Sequence, residues 1–178
     1  TFTSGRQRLG VVRASLGLWK SDPVLGVGPG NFRLRFPPHR DPAEARLGNP
    51  NAEVEAPHSD LLLALTEGGV VGAVLLILFG LVAAARCAVY LPQAESPLEY
   101  ARLSGVAGFL AAFAVEGLFS HPLAHPGSAA LLWPALGILE HVGQDRAKFR
   151  KGDFHETRLA VVLAAGIATG FLGWHLAE

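Results

Sequence analysis

The residues best suited to chemistry form a short polar run, Pro57-His58-Ser59-Asp60, directly before a long apolar stretch. Ser59 or Asp60 is suited to cap a helix that begins here, because a short polar side chain accepts hydrogen bonds from the first N–H groups of a helix. The imidazole of His58 would then lie just ahead of a helix N-terminus, where anions are favoured, and it accepts a proton near neutral pH. General-base chemistry is one interpretation, and an ordinary polar surface histidine is the other.

Three further features of the sequence bear on possible ligand sites. The glycines of the segment 26–30 (GVGPG) would let backbone N–H groups approach a phosphate, but their spacing fits neither a P-loop nor a dinucleotide fingerprint, so we favour a structural turn. His121 and His125 have the spacing of a helical metal pair, but Pro122 and Pro126 disfavour a helix there. The single cysteine excludes both an intrachain disulfide and a cysteine-based zinc site. We therefore predict no metal and no cofactor.

Glu67 and Glu116 stand inside apolar stretches. A carboxylate there is unfavourable unless it is paired. We expect Glu67 to pair with an arginine and hold the neighbouring loop, or to face a wet cavity, and the same two interpretations apply to Glu116. Glu67 is also a candidate substrate-binding residue.

The elements that would position these residues follow from composition. Half of the 178 residues are hydrophobic and only 17% are charged, against about 25% charged in ordinary soluble domains. Four stretches approach the length of about 20 residues that crosses a bilayer. They are residues 61–85, 103–119, 127–142 and 159–176. The sequence thus predicts an all-α integral membrane protein, with about four transmembrane helices in residues 60–178 and an outer segment in residues 1–59.

Charged loops set the expected orientation. The connection 143–158 holds five Lys or Arg residues, which favours the cytoplasm, and the connection 86–102 then lies on the same side. Residues 1–59 and the turn 120–126 would face outside, although residues 1–59 carry eight Lys or Arg. Long segments cross largely regardless of charge. A formal net charge of zero gives no indication of a nucleic-acid partner.

The outer segment begins with a predicted amphipathic helix over residues 6–20. Leu9, Val12, Leu16 and Trp19 share one side at helical spacing, and Arg6, Arg13 and Lys20 form a basic stripe beside it. Such a helix suits a membrane surface. A helix that packs on its neighbours and exposes its charged face is the alternative.

The wider pattern resembles the O-antigen ligase family, which includes related polymerases and protein O-oligosaccharyltransferases. His58-Ser59, nine residues, Gly69, two residues and Gly72 resemble the family's histidine signature. Further similar segments follow in the family's order between residues 4 and about 139. They are Ser4-Gly5-Arg6 with Trp19, the loop 23–32, Thr66-Glu67-Gly68-Gly69, the turn 117–123 and the segment 133–137.

The resemblance implies a larger polytopic GT-C-like fold in a bacterial inner membrane, with a periplasmic catalytic loop. Because the chain contains no Met, either its N-terminus was removed or it is a piece of a longer protein, and we favour a piece. The resemblance implies that this piece is the C-terminal portion. Family members transfer a glycan from undecaprenyl diphosphate to an acceptor hydroxyl on lipid A core, a glycan or a protein, with inversion and without a metal. O-antigen ligase is the first expectation, and a polymerase or an oligosaccharyltransferase is the alternative. A non-catalytic transporter or scaffold domain is an alternative of another class.

The resemblance also implies roles for particular residues. Arg6 matches the family's essential arginine and would bind the diphosphate, for which a guanidinium is suited. His58 matches the family histidine, which contacts the acceptor hydroxyl. Arg13, Arg33 and Arg35 would add positive charge near the diphosphate, or else are solvated surface residues.

Overall fold

The fold is helical throughout the residues that the structure, a computed structural model, describes: 2–40 and 54–149. The all-α prediction is confirmed for these residues. Short 3₁₀ turns, Pro37–His39 and Leu91–Gln93, follow the second and third helices. The helices are α1 (Phe2–Trp19), α2 (Phe32–Arg35), α3 (Asp60–Tyr90), α4 (Pro97–Phe119) and α5 (Pro126–Phe149).

Two helical segments in the described part of the chain are long and apolar enough to cross a membrane. They are Asp60–Gln93, which is α3 with its 3₁₀ extension, and Pro97–Phe119, which is α4. Only 17% of the apolar window of each segment is buried, whereas the core helix of a soluble protein would be mostly buried. By length and apolar composition, both segments are suited to cross a bilayer. The first two predicted spans are therefore found as helices.

The other two predicted spans are not found as membrane-spanning helices in the described residues. Residues 127–142 do form a helix, α5, but α5 is not among the described helices that are long and apolar enough to span a membrane. Residues 159–176 lie outside the described residues. About four transmembrane helices were expected, and the described ranges contain two helices that could span a membrane. The larger GT-C-like fold has no support from them.

Contacts divide the described residues into two compact units. The first, the loop unit, comprises residues 2–40, 54–76 and 117–121. The second, the hairpin unit, comprises residues 77–116 and 122–149. In the hairpin unit, Leu103 and Val106 of α4 form a buried core with Ala135 and Leu139 of α5.

An ion pair adds to the hairpin unit. Arg86 of α3 donates a hydrogen bond to Glu140 of α5, and both side chains are largely buried. Charged groups in an apolar surrounding are tolerated when they neutralise each other in this way. The pair therefore fixes the end of α3 to α5 and explains how two ionic residues are accommodated among apolar helices.

The packed face of α1 differs from the predicted one. Val11, Ala14, Ser15 and Leu18 are buried, at the spacing of one helix face. Leu9 and Leu16, from the predicted apolar side, are 50% and 36% exposed. The helix therefore packs through a face that lies beside the predicted apolar side, and the spacing rule fits both faces. Placement of the exposed side at a membrane surface stays a prediction.

Replacing Leu18 by Ala should lower the free energy of unfolding by about 2–5 kcal/mol, because a 1% exposed side chain leaves a cavity. The matched change Leu9→Ala, on the same helix, should alter it by no more than about 0.5 kcal/mol, because Leu9 is half exposed. Thermal unfolding in detergent micelles measures both variants. Equal loss in the two variants would contradict the assignment of the packed face.

Candidate functional site

The glycine-rich loop between α1 and α2 docks on a kink in α3. Gly69 has φ 63° and ψ −162°, a backbone conformation that is essentially restricted to glycine. The kink frees N–H groups that would otherwise bond within the helix. The N–H of Val70 donates to the carbonyl of Pro23 at 2.9 Å, and that of Val71 donates to the carbonyl of Val24 at 3.3 Å. The loop thus replaces the missing helical acceptors.

Hydrogen bonds also run in the opposite direction. The N–H groups of Val27 and Gly28 donate to the carbonyls of Thr66 and Glu67, each at 2.9 Å. The N–H of Gly26 donates to the carbonyl of Asp22 at 3.0 Å. These three N–H groups are engaged within the protein. The geometry therefore agrees with the structural-turn interpretation of the glycines and disagrees with a phosphate cradle.

The side chain of Glu67 is a second link between the loop and α3. It is 2% exposed, and its Oε1 accepts the N–H of Phe32 at 3.0 Å. Phe32 begins α2 and stacks on Phe36, with ring centroids 4.8 Å apart, and both rings are buried. Glu67 was expected either to hold the loop or to contact substrate. Its burial and this bond favour holding the loop.

The loop and the kink are in backbone contact at two glycines. A Cβ on Gly26 would overlap the carbonyl group of Glu67, and a Cβ on Gly69 would overlap the carbonyl of Val24. Both glycines also have positive φ, which disfavours any other residue. The small residue at each position is therefore required by close approach as well as by conformation.

His58 lies just ahead of α3 in an unusual backbone conformation. Its φ is 56°, the only positive φ at a non-glycine position in the described residues, and its side chain is exposed. Histidine tolerates this region better than most residues, yet such a conformation costs about 1–3 kcal/mol and persists where surrounding structure enforces it. Ser59 is the capping residue, because its Oγ accepts the N–H of Leu62 at 3.3 Å.

The end of α4 lies against the start of α3. The N–H of Asp60 donates to the carbonyl of Ser120 at 3.1 Å, and a Cβ on Gly117 would come within 3.1 Å of the Asp60 carboxylate. Asp60 is only 6% exposed. This contact brings His121 to His58, with ring centroids 5.6 Å apart and rings tilted by 47°. The structure therefore pairs two imidazoles that are 63 positions apart in sequence.

Sequence reasoning missed this histidine pair, because it considered His121 only as a metal-binding partner of His125. The sequence did contain a signal for this pair. Two apolar helices joined by a short connection run antiparallel, so the residues that begin the first helix and follow the second lie at the same end. His58 and His121 occupy those two positions.

The basic candidates lie on two different helices. Arg13 is exposed on α1, and Arg33 and Arg35 are exposed on α2. Arg6 lies within α1, and its side chain is outside the described part of the structure. Arg35 lines an open cavity of about 420 Å³ together with Asp22 and His39. The loop unit thus holds two polar groups, one around the histidine pair and one around this cavity.

Within residues 2–40 and 54–149, no three His, Cys, Asp or Glu side chains are grouped closely enough to hold a metal ion. In comparisons with known proteins, no family model, no curated protein and no solved structure matches this chain. The resemblance to the O-antigen ligase family therefore stays a prediction that rests on the residues quoted above.

Replacing Gly69 by Ala should lower the free energy of unfolding of the loop unit by at least about 1–3 kcal/mol, because the strained backbone alone contributes that much. The overlap of the new Cβ with the Val24 carbonyl adds to this. The matched control is Gly68→Ala, where a Cβ meets nothing within 4 Å. That helical change should be neutral or stabilising by up to about 1 kcal/mol.

The measurement is the thermal unfolding midpoint of the three proteins in the same detergent. If Gly68→Ala were as destabilising as Gly69→Ala, general intolerance of the helix to substitution would explain both results. The docking described here would then be wrong.

Proposed function

We propose that this chain is part of a membrane-bound glycosyltransferase that transfers a glycan from an undecaprenyl diphosphate carrier to an acceptor hydroxyl, with O-antigen ligase as the first assignment. The observation that carries the proposal is the exposed His58, held in a strained backbone conformation ahead of α3 and beside His121. Strained residues concentrate at functional sites. The signature in which His58 stands supplies the reaction class.

In the proposed reaction, the acceptor oxygen attacks the anomeric carbon of the carrier-linked sugar. A new C–O bond forms as the bond from that carbon to the diphosphate breaks, which inverts the carbon. The acceptor proton passes to the Nδ1 or Nε2 atom of His58, and undecaprenyl diphosphate leaves with the bonding electron pair. Histidine is the side chain that most often acts as a general base, and the exposed ring of His58 is accessible to an acceptor.

His121 is a positioning residue in this proposal. Its ring is close enough to restrict where the His58 ring lies. The bond from Asp60 to the Ser120 carbonyl fixes the backbone directly before His121. The proposed base is therefore held from two helices rather than from one flexible loop.

Positive charge is needed at the leaving group, because diphosphate gains negative charge as the sugar departs. Arg6, Arg13, Arg33 and Arg35 are the proposed sources, with Arg6 assigned to the diphosphate by its place in the resemblance. Of these, Arg35 lines a cavity that also contains His39. Asp22 lines the same cavity and would oppose an anion there, which favours Arg6 as the principal contact.

A polymerase or a protein O-oligosaccharyltransferase would use the same residues and differ in the acceptor. A non-catalytic transporter domain would keep polar residues near the bilayer midplane, where substrates of such proteins bind. The run 68–85 of α3 contains no polar side chain at all. This favours the glycosyltransferase over the transporter.

The decisive variant is His58→Gly in the full-length protein. Glycine accepts a positive φ, so the substitution removes the imidazole without adding backbone strain. Transfer from undecaprenyl diphosphate-linked glycan should fall by about 10²–10⁴-fold, the usual contribution of a positioned general base. His125→Ala is the matched control, because it removes another exposed imidazole near the same turn, and it should keep transfer within about twofold.

The glycan products are separated by chain length, with carrier-linked and acceptor-linked glycans measured separately. Long carrier-linked chains that accumulate in His58→Gly would indicate a ligase or an oligosaccharyltransferase, and single-unit carrier-linked species would indicate a polymerase. Unchanged transfer by a correctly inserted His58→Gly protein would remove His58 from the chemistry and refute the proposal.

A further inference from the structure

The glycine-rich loop carries an apolar surface that the proposed chemistry does not use. Val24 and Leu25 are 60% and 68% exposed, although both belong to a loop that is firmly docked on α3. An exposed pair of large apolar side chains on a well-held loop requires an explanation, because such surfaces mark contact with another apolar phase.

This surface continues onto α3. The carbonyls of Pro23 and Val24 accept the N–H groups of Val70 and Val71, which places the loop tip beside these helix residues. Val70 and Val71 are each 45% exposed. Val74 and Leu75 follow on the same helix, at 45% and 41% exposure. The loop tip therefore adjoins the exposed apolar surface of a helix that is suited to cross a membrane.

The position of Gly69 along α3 indicates how deep the docked loop would lie in a bilayer. Residues 68–85, between Glu67 and Arg86, contain no charge. At a rise of 1.5 Å per residue they extend about 27 Å, close to the roughly 30 Å of a bilayer's hydrocarbon core. Gly69 lies at the start of this stretch. The docked loop would consequently lie at the boundary between the headgroups and the acyl chains.

The composition and hydrogen bonding of the loop suit that boundary. Residues 23–32 carry no charge. Irregular backbone is unfavourable in lipid unless its polar groups are satisfied, and here Gly26, Val27 and Gly28 donate to carbonyls of the protein. At the base of the loop, Trp19 donates its Nε1–H to the Pro23 carbonyl at 3.0 Å. Tryptophan is enriched at membrane interfaces.

We infer that the tip of this loop is inserted into the bilayer at the boundary between headgroups and acyl chains, with Val24 and Leu25 in contact with the acyl chains beside Val70 and Val71. The partner is the bilayer itself. Insertion anchors the loop unit at a fixed depth, so that the kink of α3 and the start of α2 lie at the membrane surface. The inference does not depend on the proposed glycosyl transfer, because it rests only on exposure, hydrogen bonding and the length of α3.

Single-cysteine variants of the full-length protein in phosphatidylcholine vesicles test the inference. Cys87→Ala removes the native thiol, and Val24→Cys and Leu25→Cys then report on the loop tip. Val74→Cys is the lipid reference, and Glu55→Cys, at an exposed position ahead of α3, is the water reference. Alkylation by a membrane-impermeant maleimide needs a hydrated thiolate. We expect Val24→Cys and Leu25→Cys to react at least about tenfold more slowly than Glu55→Cys, as Val74→Cys should.

Full labelling after denaturation in SDS controls for the presence of each thiol. A second measurement uses a bimane fluorophore on the same positions and vesicles that contain brominated lipid. Quenching at Val24 and Leu25 comparable to that at Val74 supports insertion. If both loop positions react as fast as Glu55→Cys and escape quenching, the loop is in water and the inference is wrong. Fast reaction at Val74→Cys also overturns it, because α3 would then not lie in lipid.

Discussion

The docking of the loop 23–32 onto the kink of α3 is the interaction on which the rest of the loop unit depends. The kink at Gly69 would leave helix N–H groups without acceptors, and the loop supplies them. In exchange α3 supplies two carbonyls and the buried Glu67 carboxylate, which accepts the first N–H of α2. Through these bonds α1, α2 and the N-terminal part of α3, which begins at Asp60 directly after His58 and Ser59, belong to one compact unit.

A second constraint acts at the start of α3. Asp60 is buried against Gly117 and bonded to the backbone of Ser120, so the beginning of α3 and the end of α4 are fixed to each other. His58, with its positive φ, and the half-buried His121 flank that contact. The two constraints use the same physical means, since each places glycine where two segments approach closely and satisfies the backbone groups with acceptors from the other segment.

Much of the helical organisation could be predicted from sequence, because uncharged apolar runs define α3 and α4, and Ser59 caps α3 as its residue type suggests. The packed face of α1 could not be predicted from sequence, because the spacing of Val11, Ala14 and Leu18 is as regular as that of Leu9, Val12 and Leu16. That Glu67 holds the loop was one of the expectations from its place in an apolar run, but its acceptor role toward Phe32 depends on a contact 35 positions away. The pairing of His58 with His121 likewise depends on tertiary structure, which local pattern does not encode.

The glycines at the contact between the loop and α3 have a consequence for how this region opens. Side chains at an interface can slip past one another in small steps, but two backbones joined by hydrogen bonds in both directions have no such intermediate arrangement. A movement that breaks the bond from Val70 to Pro23 also strains those from Val27 and Gly28. We therefore expect residues 23–35 and 66–71 to open as one cooperative unit rather than by local fraying of the loop.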